Sequence, residues 1–78
     1  MSSSIETPAD LGAAVRRARR RRGLRQEDLA LSAGTGMRFI GELERGKPTV
    51  QLAPMLRVLQ ALGVSLRLED GEGDDSDT

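Results

Sequence analysis

Glycines at positions 23, 34, 46 and 63 punctuate this chain, and each closes a stretch whose apolar residues recur with helical spacing. Glycine just past the last periodic residue is a helix stop signal, because it takes up at little cost the left-handed conformation that ends a helix. The chain is thereby restricted to short helices packed on one another. With one phenylalanine and no Trp, Tyr, Cys or His among 78 residues, their shared core has to be built from Leu, Val, Ile, Met and Ala. That describes one small aliphatic domain. The same composition excludes disulfides and the usual zinc sites, leaving association with a second subunit as the remaining stabilising device for so short a chain.

The first segment opens with Thr7-Pro8-Ala9-Asp10, in which Thr7 can cap, Pro8 fits the first helical position and Asp10 completes a capping box. Leu11, Ala14, Val15 and Ala18 then follow the i, i+3, i+4, i+7 rule up to the stop at Gly23. Gln26–Ala33 reads as a second short helix with Leu29, Ala30 and Ala33 inside. Residues 36–45 read as a third, with Ile40 and Leu43 inward and Gly46 and Pro48 ending it. Two short helices joined by a tight glycine-containing turn form the layout of a helix-turn-helix unit. A fourth helix, Leu52–Leu62, has Pro54 in its first turn. Its apolar residues Leu52, Met55, Leu56, Val58, Leu59 and Leu62 sweep an arc of roughly 160°, wider than the stripe of about 100° that a core-facing helix needs. Part of that arc is expected to face another chain. Past Gly63, Val64, Leu66 and Leu68 alternate as in a strand. Since nothing else here reads as β, its expected mate is the same strand of a second copy, antiparallel about a two-fold axis.

The formal net charge of zero conceals an asymmetry. Residues 1–68 hold all twelve basic residues and six acidic ones, a balance of +6, while 69–78 hold six acidic residues and no basic one. A cationic body suits a polyanion, whereas EDGEGDDSDT has the composition of a solvated, disordered tail. Residues 1–7 are expected to form a flexible N-terminus. The run RRARRRR at 16–22 lies on the outer face of the first helix, where its last cations favour the helix dipole; it reads either as a solvated face or as a nonspecific attraction for phosphate. No apolar run approaches the roughly 20 residues that cross a bilayer, and MSSSIETPAD lacks the charged and apolar regions of a signal peptide. The expectation is a cytoplasmic, nucleoid-associated protein. No cofactor is implied, and no paired catalytic arrangement in a pocket is legible, so an enzyme is not expected.

Three elements in order, R-x-x-x-G-L-x-Q-x-x-L-A at 19–30, Ala33-Gly34, and I-x-x-L-E-R-G at 40–46, resemble the Cro/cI-like (XRE) family of helix-turn-helix regulators, over about residues 10–70. The portion MLRVLQALGVSLRLED is similar to the HipB antitoxins, in which the last helix is followed by a strand that pairs across the dimer, and to Y4mF-type regulators. The resemblance implies an all-α, lambda-repressor-like bundle of four to five helices over residues 8–68, with a short C-terminal β-strand pairing across a homodimer. It also implies that the helix at 36–45 is the recognition helix, lying in the major groove with its N-terminal residues against base edges.

On that helix Arg38 is the first candidate for base reading, because its guanidinium can donate two hydrogen bonds to guanine O6 and N7. Met37 can contact a thymine methyl or cover apolar protein surface. Glu42 can accept from cytosine N4 or be taken by solvent or an arginine. Glycine in a helix costs about 1 kcal/mol relative to alanine; at Gly36 and Gly41 this is explained by close approach to DNA, or for Gly41 by packing against another helix. Phe39 is expected at the domain surface or dimer seam. Relatives use the residue at Gln26 to hold a phosphate and brace the recognition helix, and Thr35, Arg25, Arg45, Lys47 and the helix N-terminal amides are further phosphate donors. Arg19 and Glu44 stand where relatives form a partly buried ion pair. Leu56, Leu59, Val64, Leu66 and Leu68 are the dimerisation candidates. At Thr35 and Gly36, where relatives usually have an apolar residue and a polar cap, this chain departs from the pattern.

The implied function is sequence-specific repression from an operator with inverted half-sites. In its more particular form the chain is a HipB-like antitoxin that represses its own operon and binds a HipA-like kinase, with the acidic tail as a docking or degradation segment or as an occupant of the chain's own basic face. A stand-alone repressor, or a protein-protein adaptor that keeps the helix-turn-helix shape, are the alternatives.

Overall fold

The computed structural model describes residues 4–70. They form four helices, α1 (Pro8–Arg21), α2 (Gln26–Ala33), α3 (Met37–Glu44) and α4 (Leu52–Leu62). The capping box of α1 forms in full: Asp10 N–H donates to Thr7 Oγ1 at 3.0 Å, while the Thr7 and Glu6 amides donate to the Asp10 carboxylate at 3.2 and 3.0 Å. At the start of α2, Asp28 accepts from the Arg25 amide at 2.8 Å. Gly34 ends that helix at φ 72°, and Thr35 N–H then closes the turn on the Ala30 carbonyl at 2.9 Å. α3 is a residue shorter at each end than the span 36–45, because Gly36 sits outside it in an extended conformation and Arg45 serves as the cap at its other end.

The helices pack chiefly in two pairs, α1 on α3 and α2 on α4, and between them bury an aliphatic core in which Val15, Leu29, Ile40, Leu43, Val58 and Leu62 are fully enclosed. The α1–α3 crossing is close enough to exclude any side chain at Gly12, where a Cβ would fall 2.6 Å from the Glu44 carbonyl oxygen and nearer still to that of Leu43. Gly46, at φ 85°, lies under the same helix, and a Cβ there would stand 2.8 Å from Ala9 Cα. α1 therefore rests on the backbone at the C-terminal end of α3.

The wide apolar arc of α4 divides. Met55, Val58, Leu59 and Leu62 enter the chain's own core, Leu56 is half-buried and Leu52 is exposed. Leu59, expected at the dimer seam, is thus enclosed by its own chain to 6% exposure. After α4, Val64 N–H donates back to the Leu59 carbonyl at 3.0 Å, and the chain continues with Leu66 half-open and Leu68 96% exposed. Within the described residues nothing pairs with this segment as a strand. Residues 71–78 of the expected acidic tail, and 1–3 of the expected flexible N-terminus, lie outside the described residues. Among those described, no helix is long and apolar enough to cross a membrane.

Gly12→Ala is expected to overpack the crossing and destabilise the fold by about 1–3 kcal/mol, read as a lowered thermal midpoint by circular dichroism. Gly36→Ser, whose side chain enters open space and supplies the missing N-cap oxygen, should hold or raise the midpoint; an equal response of the two variants would refute the close crossing.

Candidate nucleic-acid interface

Three helices meet at one polar joint. Arg19 Nε donates to Glu44 Oε2 at 2.6 Å and its Nη2 to Oε1 at 3.0 Å; Gln26 Nε2 donates to the same Oε1 at 3.1 Å, and Arg19 Nη1 donates to the Leu24 carbonyl at 2.8 Å. The two charged side chains are 10% and 3% exposed. Burial works to raise the Glu44 carboxyl, yet the hydrogen bonds from Arg19 and Gln26, with the charges of Arg19 and Arg16, hold it below its usual range. The pair therefore stays ionised, and it ties the second half of α1 to the start of α2 and the end of α3. Gln26, expected at a phosphate, turns its amide nitrogen inward to Glu44.

This joint leaves the outer face of α3 to solvent. Met37 is exposed, and the Arg38 side chain, 90% exposed, pairs with Glu42 Oε2 at 3.2 Å. The other Glu42 oxygen takes Lys47 Nζ at 3.3 Å. Lys47 foremost, and then Arg38, keep the Glu42 carboxyl below its ordinary range against desolvation. A surface pair one helical turn apart contributes little to stability, so Arg38 can leave Glu42 for a better acceptor at small cost. Nothing stands within 4 Å of the place a Gly36 side chain would take, whereas Gly41 is buried beneath Arg45, whose Nη1 would lie 3.2 Å from a Cβ there. The space left by Gly41 therefore houses the Arg45 guanidinium and no second helix.

Phe39 is half-buried against the core. The hydroxyl of Thr35 donates to the Gly36 carbonyl at 3.3 Å, and Arg25, largely exposed, pairs with Asp28 at 3.3 Å. The fold thus gathers Met37, Arg38, Gly41, Glu42, Arg45 and Lys47 on α3 and the loop behind it, with Arg25 and Gln26 at the adjoining N-terminus of α2. The dimerisation candidates lie elsewhere: Leu59, Val64 and Leu66 line an open groove of about 340 Å³ between α1 and the C-terminal segment. Sequence reasoning passed over Gly12, Asp28 and Arg57, whose Nε donates to the Ala33 carbonyl at the end of α2 at 3.2 Å. The cap by Asp28 has a signal in its spacing three residues after Arg25, masked because arginine occupies the cap position. Among the described residues no cluster of acidic, His or Cys side chains is placed to hold a metal ion.

The helix-turn-helix family model HTH_3 matches residues 15–68. An uncharacterized HTH-type transcriptional regulator of Sinorhizobium fredii, y4mF, is 54% identical over 66 residues, covering 85% of this chain and 87% of the relative. A second from the same organism, y4dJ, is 34% identical over 55 residues, covering 70% and 71%. Among solved structures, HipB in a complex described as HipB-O4 20mer superposes with a TM-score of 0.82 at 27% identity, over 90% of this chain and 99% of that one. A HipA-HipB-O2-O3 complex contains a chain that matches with the same score, identity and coverage.

Arg19→Met or Glu44→Leu alone strands a buried charge and is expected to cost about 3 kcal/mol, while the double variant should cost much less than the sum of the two in urea denaturation. The pH dependence follows from carboxyls Asp10, Asp28, Glu42 and Glu44, all held below their ordinary values in the fold. Such groups contribute stability that is complete above the unfolded-state value and disappears as pH falls through the lowered one. With no histidine to titrate, denaturation midpoints should be flat between about pH 5 and 8 and drop below about pH 4.

Proposed function

The chain belongs to the helix-turn-helix family as an XRE-type transcriptional regulator close to HipB and y4mF, and from that premise we propose that it is a homodimeric, sequence-specific repressor, the antitoxin of an operon it shuts off itself. The observation that carries the reading is the outer face of α3, where Arg38 stands 90% exposed in the first turn and, among the described residues, is held by the Glu42 carboxylate alone. Released onto DNA, its guanidinium has the two-donor geometry that fits guanine O6 and N7, and it leaves Glu42 Oε2 to accept from cytosine N4 while Lys47 keeps Oε1. Met37, exposed next to it, takes the thymine-methyl contact in this reading. Arg25, Thr35, Arg45, Lys47 and the N-terminal amides of α2 and α3 supply phosphate contacts around that reading head, while Gln26 braces it through Glu44.

Dimerisation rests on the apolar surface the single chain leaves uncovered. Leu66 and Leu68 are exposed, Leu56 and Val64 half-buried, and Leu59 lines the groove beside them. Pairing of the segment 64–68 with its own copy about a two-fold axis satisfies both its backbone and its leucines, and sets two recognition helices about 34 Å apart for inverted half-sites one turn of DNA apart. Similarity to the HipB chain of the HipA-HipB-O2-O3 complex supports a HipA-like kinase as the second partner; without one the chain is a stand-alone repressor.

Arg38→Ala should weaken binding to the operator by about 1–3 kcal/mol and relax preference at one base position, with random duplex bound nearly as before. Operator affinity and base preference identical to the parent chain would remove Arg38 from the reading head. In sedimentation, Leu66→Lys with Leu68→Lys should convert dimer to monomer.

A further inference from the structure

Folding divides the arginine run at 16–22. Arg19 is used in the joint with Glu44, and Arg22 Nη1 donates to the Ala18 carbonyl at 3.2 Å. Arg16, Arg17, Arg20 and Arg21 are exposed, and among the described residues they have no hydrogen-bond or ion-pair partner for their side chains. They form two adjoining rows, each one helical turn long, about 100° apart around α1, with Arg16 and Arg20 towards α3 and Arg17 and Arg21 towards the groove. Arg17 and Arg21 line the groove with Leu59, Val64 and Leu66. Arg16 and Arg20 flank Arg19: the charge of Arg16 is felt at Glu44, and the row runs from there towards Gly23 and the start of α2, where Arg25 and Gln26 stand. Like charges one turn apart work against a helix. The helix dipole compensates only the last turn, which holds Arg19, Arg20 and Arg21 but not Arg16.

We propose that Arg16 and Arg20 are a second phosphate clamp, which carries the backbone contacts of the α2 N-terminus outward along α1 beyond the base-reading helix. The inference rests on the DNA-binding reading above and adds an anchoring surface to it. Duplex DNA is the partner the row fits, because on the α3 side of α1 it follows Gly12, which rests on the α3 backbone, and runs towards Arg25 and the first amides of α2, which are suited to phosphate oxygens. The groove row, by contrast, borders apolar side chains and suits a protein surface.

The test is fluorescence anisotropy of the full chain on a labelled random-sequence duplex across about 50 to 200 mM salt. Arg16→Gln with Arg20→Gln should reduce the slope of log affinity against log salt by about 2 per bound subunit, and Arg17→Gln with Arg21→Gln should leave it unchanged. Circular dichroism verifies that both variants fold. An unchanged slope in the first pair, or equal losses in both, overturns the clamp, as does lost affinity for polyglutamate with duplex binding intact. A parent chain with no salt-dependent duplex binding brings down the DNA-binding reading and the clamp together. If Arg38→Ala loses operator preference while Arg16→Gln with Arg20→Gln keeps the parent slope, the clamp alone falls.

Discussion

The orientation of α3 depends on the buried joint of Arg19, Glu44 and Gln26. An aliphatic core of this size is non-directional, so Leu29, Ile40, Leu43, Val58 and Leu62 can enclose one another over a range of helix angles. The guanidinium fork cannot, because its planar donors meet both oxygens of one carboxylate in a single arrangement. Burying two charges is offset only when their remaining donors and acceptors are filled. Here three donors reach Glu44, and the last Arg19 nitrogen finds the Leu24 carbonyl. What the joint contributes is chiefly direction, and Gly12 makes it possible by letting α1 lie on the α3 backbone.

That constraint explains how a helix of eight residues with no side-chain cap is held in one orientation. α3 is held at its far end by Glu44 and along its inner face by Ile40 and Leu43, so its first turn need not contribute to the fold. The pairs of Arg38 and Lys47 with Glu42 order the outer face of α3 with weak contacts that either cation can give up at small cost. Rigid support and loosely held charged groups are therefore separated on two faces of the same short helix.

Much of the fold was legible because its signals are local. The spacing of Leu29, Ala30 and Ala33, and of Met55, Val58, Leu59 and Leu62, places α2 and α4 where they are found. All four punctuating glycines, at 23, 34, 46 and 63, take positive φ. The rest was hidden because it depends on what lies across the fold. Gly12 looks like an ordinary weak point in a helix until the carbonyls of Leu43 and Glu44 arrive beside it. Gly41 reads as an opening for DNA or a helix, and its space is filled by Arg45 four residues on. Alternation at Val64, Leu66 and Leu68 reads as a strand, yet among the described residues no second strand meets it and the segment is extended without pairing. The arginine run, uniform in sequence, acquires distinct sides only when α1 has neighbours.

Selection of bound duplexes from a random-sequence pool, followed by sequencing, tests most directly whether two symmetry-related copies of α3 read DNA. The expected result is an enriched inverted repeat whose half-sites are centred about one helical turn apart. A pool that enriches no motif, or only a single asymmetric one, would contradict it.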